Sequence, residues 1–358
     1  MSDELQVPFD HELLLMRRGS RSGFPLAIAI HSTLGSEAPG LAGGGCRLAR
    51  YEQPLDGLRD VLRLAQAMTR KTSIAGLRIG GGKCVIIAPG DTSPWPLAGS
   101  RREDVLRDLA DLVTELEGRF IVGPDVGTTA ADMQFVSTLT PHVGGNNEGE
   151  AGGTAFGTAL GLHACMRAAA EVVFGTPDLS ERRVTVIGLG GVGELLARRL
   201  AADGATLVVT DIDEGRASVA KELGAQWISP EGAQRARTDI LAPCALGGTL
   251  TVKEAGLISC PLIVGAANNQ LASDSVAAEL LAQGITWVPD FLANAGGILY
   301  AVATGRSALT THAAGELVLG LGQTTTEVLR RASERDITTL QAALDIADEH
   351  RRARAAVD

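Results

Sequence analysis

Aromatic side chains are scarce, at 3% of the 358 residues. Trp227 and Trp287 are read as core or sheet-edge residues, not as platforms for stacking bases. No apolar run is long enough to span a bilayer, which predicts no membrane segment. No block of like charge stands out, and the net charge of -10 predicts repulsion from nucleic acid and anionic membranes. The opening residues, MSDELQVPFD, lack the basic and apolar regions of a secretory signal. Cysteines are few: Cys46, Cys84, Cys165, Cys244 and Cys260 form an odd, irregularly spaced set with no metal-ligand pattern. These absences lead us to expect a cytoplasmic protein with reduced thiols and no metal, acting on small molecules.

Glycine is what the chain has in quantity. Its 44 glycines include runs at 43–45, 80–82, 144–145 and 152–153, where backbone must come close to backbone or to a ligand. Hydrophobic residues, at 45%, suffice for two packed cores, and the length exceeds one ordinary domain.

Short apolar strands alternate with helical patterns, which predicts an α/β fold. In the first half, 27–31, 84–88 and 119–122 read as strands. Leu58, Val61, Leu62, Ala65 and Met68 mark one amphipathic helix, and Val105, Leu109, Leu112 and Leu116 mark another. In the second half, 184–187, 206–210, 239–242, 262–266 and 285–289 read as strands of a parallel, doubly wound sheet. Residues 338–354 read as a final helix. The stretch 144–153 between the halves reads as a surface loop or as a hinge.

After the strand at 184–187 comes Gly188-Leu189-Gly190-Gly191-Val192-Gly193, a G-x-G-x-x-G that opens a helix. Its glycines permit a tight turn, approach of a pyrophosphate and close helix–strand packing, with the helix N-terminus facing the phosphates. The next strand ends at Asp211, whose carboxylate suits both ribose hydroxyls and repels a 2′-phosphate. NAD is therefore the expected cofactor. The domain expectation is a substrate domain over 1–143, a Rossmann-type nucleotide domain over 144–332 and a C-terminal helix over 333–358.

The first half must supply the chemistry. Lys71 ends the first helix, and Lys83 follows the glycines 80–82 on what reads as a loop before a buried strand. Asp125 ends a strand in Gly123-Pro124-Asp125-Val126-Gly127-Thr128. Oxidising an amino acid requires a cation for its carboxylate, a base for its ammonium and activation of water against the imine. Two lysines and an aspartate fit that need. His31 and His142 are assigned structural roles, and Cys244 is assigned packing. A hydroxy-acid dehydrogenase would call for a histidine with a carboxylate and an arginine clamp, which we do not find. A non-catalytic NAD-binding relative would be marked by loss of these lysines or the aspartate, and all three are present.

These motifs resemble the glutamate/leucine/phenylalanine/valine dehydrogenase family. So do Gly44-Gly45-Cys46-Arg47, Ala242-Pro243-Cys244-Ala245, Gly265-Ala266-Ala267-Asn268-Asn269, Pro289-Asp290-Phe291 and Ala293-Asn294-Ala295-Gly296-Gly297. The resemblance covers nearly the whole chain and is strongest to the bacterial phenylalanine-specific members. It implies that Lys71 binds the substrate carboxylate, Lys83 acts on the amino group and the attacking water, and Asp125 relays protons. The Gly45 carbonyl would orient the amino group, Asn268 would contact substrate or the nicotinamide ribose, and Thr154 would hold the carboxamide.

The resemblance further implies cofactor contacts from Gly188, Gly190, Gly191, Val192, Gly193, Asp211, Ile212, Cys244, Ala245, Ala266 and Asn294. It implies a cleft between the two domains, a last helix returning to the first, and a homo-oligomer. Two departures stand out: Arg78 replaces a usual proline, and Cys46 a usual threonine.

By the same resemblance Gly43, Gly123, Ile298 and Ala301 enclose the substrate side chain. Three of these four are glycine or alanine, which leaves room for a ring. Phenylalanine is the expected substrate, with leucine or valine as the alternative and glutamate disfavoured. The products would be the 2-oxo acid and ammonium.

Overall fold

The computed structural model describes residues 9–38, 40–144 and 153–356. The chain divides into two compact units, one of residues 1–147 with 350–358 and one of residues 148–349.

The first unit is built on one five-stranded sheet. Its strands are β1 (Leu13–Arg18), β2 (Pro25–Ser32), β3 (Ala42–Tyr51), β4 (Gly80–Pro89) and β5 (Phe120–Pro124), in the order β1-β2-β4-β3-β5. β2 is antiparallel to β1 and β4, whereas β3 is parallel to both β4 and β5. Each face carries a helix. Leu26, Ile28, Cys46, Leu48, Cys84 and Ile86 share one core with Leu109 and Leu112, which belong to the helix Gly99–Thr114.

On the opposite face Ala27, Ala29, Val85 and Ile87 pack on Val61, Leu62 and Ala65. That helix, Pro54–Ile74, has proline and Asp56 in its first turn and Lys71 in its last, a distribution that suits the helix dipole. Its far end is fastened by the end of the chain: His350 Nδ1 lies 3.1 Å from the Ser73 carbonyl, and Arg354 Nη1 donates to the Leu77 carbonyl at 2.6 Å.

The second unit carries a parallel sheet of six strands. These are β6 (Arg183–Ile187), β7 (Thr206–Thr210), β8 (Gln226–Trp227), β9 (Ile240–Pro243), β10 (Leu262–Ile263) and β11 (Thr286–Trp287), in the order β11-β10-β9-β6-β7-β8. The order reverses between β6 and β9, which marks the switch point where such sheets bind ligands. The α/β class and the doubly wound parallel sheet expected of the second half are both present. Trp227 and Trp287 occupy the two edge strands, and Trp287 Nε1 donates to Gln270 Oε1 at 3.0 Å.

The structure departs from expectation in several places. Lys83 and the glycines at 80–82 are not a loop: they lie in β4, buried in the middle of the sheet. β1 and β3 were not anticipated, and β3 was hidden by its three glycines, which as isolated residues disfavour a strand. β10 and β11 are two-residue strands, shorter than read. The helix Gly153–Phe174 was also unanticipated. Its apolar residues run all round, and it packs closely on the helix Gly296–Gly305, where a β-carbon at Gly296 would stand 2.2 Å from the Gly157 carbonyl. The loop or hinge expected at 144–153 lies, except for its end residues, outside the described residues.

Candidate active site and nucleotide cradle

Strand pairing in the first unit puts the candidate catalytic residues on one face of the sheet. Gly43 pairs with Gly81 of β4 and Ile121 of β5, while Cys46 pairs with Cys84 and Pro124. Because side chains alternate along a strand, Gly43, Gly45 and Arg47 face one way, with Gly81 and Lys83 on one side and Ile121 and Gly123 on the other. Cys46 faces the other way, into the core beside Cys84. The departure from threonine at Cys46 therefore leaves the site face untouched, and burial pushes its thiol up, well above its ordinary range.

The glycines make a floor of bare backbone. A β-carbon at Gly45 would stand 2.8 Å from Asp125 Cβ and 2.7 Å from the Pro124 carbonyl. Lys83 Nζ lies 2.9 Å from Asp125 Oδ2, with the lysine side chain 8% exposed and the aspartate 20%. Arg47 Nε approaches the same oxygen at 3.4 Å. Burial alone pushes the Asp125 carboxyl up, but Lys83 and Arg47 together outweigh it and hold the group below its ordinary range. Arg47 is fixed in turn, since its Nη1 donates at 2.8 Å to Asp60 Oδ2, which also accepts from the Tyr51 hydroxyl at 2.8 Å.

The residues after β5 hold Asp125 in place. The Thr128 hydroxyl donates to the Cys46 carbonyl at 2.7 Å and accepts from the Asp125 amide at 2.9 Å. Gly127, at φ +82°, passes so close to β3 that a β-carbon there would meet the Leu48 carbonyl at 1.9 Å. Arg47, Asp60 and Thr128 are the residues that motif reading passed over. Arg47 and Thr128 stood inside quoted motifs, but only the fold shows what they touch.

Lys71 is half-buried in the last turn of its helix. Two residues earlier, Thr69 lies directly over Gly81, whose β-carbon would meet the Thr69 amide nitrogen at 2.0 Å. The Arg78 side chain is exposed, and the backbone around it is tied down: the Glu37 amide donates to the Arg78 carbonyl, and the Gly80 amide to that of Leu41. His31 Nδ1 lies 3.0 Å from the Thr69 hydroxyl, and the His142 carbonyl accepts from the Val122 amide.

In the second unit the glycine motif sits at the switch point. Gly188 has φ +99°, and a β-carbon at Gly193 would stand 1.9 Å from the Gly188 carbonyl. The helix Gly191–Ala202 starts there, and among the described residues nothing lies within 4 Å of a β-carbon placed at Gly190. That is a cradle open to a diphosphate. Asp211 follows β7 and accepts from the Leu189 amide at 2.6 Å and the Asp213 amide at 2.9 Å. Beside it Ile212 is exposed. The Cys244 amide donates to the Ile187 carbonyl, and Ala245 lies against Gly188. Burial pushes the Cys244 thiol up to about 11, which suits packing and not nucleophilic attack.

Further along the same unit, Asn294 Nδ2 donates to the Ala266 carbonyl at 3.1 Å and to Asn268 Oδ1 at 3.0 Å. Asn294 Oδ1 is buried and takes part in no hydrogen bond among the described residues, so it is an acceptor suited to a ligand donor. Thr154 opens its helix against Gly297, whose β-carbon would lie 2.8 Å from the Thr154 carbonyl. Ile298 and Ala301 lie one helical turn apart on the helix Gly296–Gly305, both half-buried. These residues fit a dinucleotide. Among the described residues no three His, Cys, Asp or Glu side chains are grouped to hold a metal ion, and no helix is long and apolar enough to cross a membrane.

Residues 16–142 match the family model described as Glu/Leu/Phe/Val dehydrogenase, dimerisation domain, and residues 208–344 match that of Glutamate/Leucine/Phenylalanine/Valine dehydrogenase. The leucine dehydrogenase of Bacillus subtilis is 37% identical over 294 residues, which is 81% of this chain and 78% of the relative. The phenylalanine dehydrogenase of Thermoactinomyces intermedius is 34% identical over 351 residues, 95% of this chain and 91% of the relative. The crystal structure of L-tryptophan dehydrogenase from Nostoc punctiforme aligns with a TM-score of 0.80 at 32% identity, covering 96% of this chain and 97% of its own. Identity at this level does not single out the phenylalanine-specific members. By these matches the chain belongs to the glutamate/leucine/phenylalanine/valine dehydrogenase family and is an oxidoreductase of the amino-acid dehydrogenase class.

Proposed function

We propose that the protein oxidatively deaminates a nonpolar L-amino acid, with phenylalanine as the preferred substrate and NAD as acceptor. The observation that carries this reading is the Lys83–Asp125 pair at 2.9 Å, set beside a floor of glycine backbone. The first unit acts as the substrate domain and the second as the nucleotide domain. Gly188, Gly190, Gly191, Val192 and Gly193 hold the diphosphate, and Asp211 and Ile212 the adenosine. Cys244, Ala245, Ala266, Asn268, Asn294 and Thr154 line the remainder. Asp211 supports NAD over its 2′-phosphorylated form, because a second anion there would be repelled.

When bound, the nicotinamide supplies the hydride acceptor. The chain's own groups do the rest. Lys71 binds the substrate carboxylate, and the Gly45 carbonyl accepts from its amino group. Lys83 Nζ takes a proton from the ammonium and later one from the water that attacks the imine, with Asp125 receiving and returning protons through the contact between them. Water adds to the imine carbon and ammonia leaves, which gives the 2-oxo acid. Gly43, Gly123, Ile298 and Ala301 bound the side chain. The family model described as a dimerisation domain supports a homo-oligomer. The free thiols of all five cysteines support a reducing, cytoplasmic setting.

Leucine or valine is the second reading. It is favoured by the Ile79 side chain, whose Cδ1 lies 2.8 Å from the place a β-carbon at Gly43 would take, so that part of the room over Gly43 is already filled. The experiment is reduced-cofactor formation with a panel from valine to tryptophan, in the wild type and in Lys83→Ala. Turnover of phenylalanine above leucine that is lost in the variant supports the first reading. Leucine above phenylalanine supports the second, and no turnover with any amino acid overturns both.

A further inference from the structure

Four places on the substrate face lack a side chain, and what stands over each differs. Gly81 is covered by Thr69, Gly45 by Asp125, and Gly43 by Ile79. Over Gly123 the nearest atom among the described residues is the Gly144 carbonyl at 3.4 Å. Gly144 in turn lies against β5, its β-carbon position 3.2 Å from Ile121 Cγ2. The floor's charged groups, Lys83, Asp125 and Arg47, gather at one end. At the other end two hydrocarbon side chains meet the row Gly81–Gly43–Ile121: Ile121 itself, half-buried, and Ile79, 9% exposed. A nonpolar amino acid with its amino group at Lys83 and Asp125 must send its side chain away from these charges, since setting hydrocarbon against them strips their solvation.

From this geometry we propose that Ile79 is a specificity-determining residue, which fills the volume left by Gly43 and sets the size of side chain the site accepts. The inference rests on the amino-acid dehydrogenase reading and adds to it a residue outside both the catalytic groups and the glycines. One atom bears the contact: Cδ1 lies 2.8 Å from the ideal β-carbon at Gly43, and Cγ1 lies at 3.6 Å. Ile79→Val removes Cδ1 and leaves an ordinary van der Waals distance. Gly43 and Ile79 therefore act as one unit, the small residue on the strand allowing the large one to overhang it.

The test is kcat/KM for valine, leucine, phenylalanine and tryptophan in wild type, Ile79→Val, Ile79→Ala, Gly43→Ala and the double variant Gly43→Ala/Ile79→Val. The ratio of phenylalanine or tryptophan to valine should rise in Ile79→Val and rise further in Ile79→Ala, by about 10-fold or more. Gly43→Ala should lower turnover of every substrate, and adding Ile79→Val should restore part of it. A loss confined to packing would change all four substrates in step and leave the ratio alone. A ratio within about twofold of wild type in both Ile79 variants overturns the proposal. If Ile79→Ala does not fold, Ile79→Val decides alone. Wild type inactive on every amino acid is a different outcome, which removes the dehydrogenase reading and this proposal with it.

Discussion

Arg47 and Lys83, on neighbouring strands, converge on one oxygen of Asp125, at 3.4 Å and 2.9 Å. The carboxylate is shared between a lysine and a guanidinium. Arg47→Gln removes the second cation, so the Asp125 carboxyl should move up toward its ordinary range. The acidic limb of kcat/KM should then move to higher pH, with little change near neutrality, where the carboxyl stays ionised. Arg47→Lys should fall between the two, and pH–rate profiles of the three proteins check this.

Gly45→Ala should spare the fold and spoil the chemistry. Its methyl would press on Asp125 Cβ at 2.8 Å, shifting the carboxylate away from Lys83. Misplacement on this scale costs about 100-fold in kcat. Steady-state kinetics with circular dichroism on the same sample would show activity lost and secondary structure kept.

Gly193→Ala should weaken nucleotide binding. A methyl there meets the Gly188 carbonyl at 1.9 Å, which forces the turn and the helix apart. Calorimetric titration with reduced cofactor should show affinity lowered by about 100-fold or more, equivalent to roughly 3 kcal/mol. Unchanged affinity would remove the cradle from its proposed role.

Acid should weaken the first unit in a traceable way. Asp108 Oδ2 accepts from the Ser22 hydroxyl at 2.6 Å and the Ser22 amide at 2.9 Å, and Oδ1 from the Arg21 amide at 3.2 Å. Burial pushes this carboxyl up, but these donors win and hold it below its ordinary value of 3.8. Its stabilising contribution is therefore complete above that value and is lost as pH falls through the lower native one. Asp108→Asn should cost about 1–3 kcal/mol at pH 7 and less in strong acid. Urea unfolding at both pH values checks this.

Much of this architecture could be read from the chain, and the exceptions share a cause. The alternation at 184–187 and 206–210 announced β6 and β7, because apolar runs between turns have few other uses. Lys83 and Asp125, which the structure brings within 2.9 Å of each other, each stood beside glycines in a setting a solvated charge does not need. β3 was not legible, since what makes a strand of Ala42–Tyr51 is pairing on both sides and not its own residues. The contacts of Arg47, Thr128 and Ile79 could not be read for the same reason. Each acts across strands, on a partner distant in sequence.

One consequence follows from where Lys83 and Gly45 sit. Lys83 pairs with Ala29 of β2, and Gly45 with Gly123 of β5. Their backbone amides can meet solvent deuterium only when the ladder opens, and around β4 that is close to unfolding the whole unit. Amides of 43–46 and 82–86 should therefore be among the slowest to exchange, so the proposed catalytic residues would sit in the most persistent part of the fold.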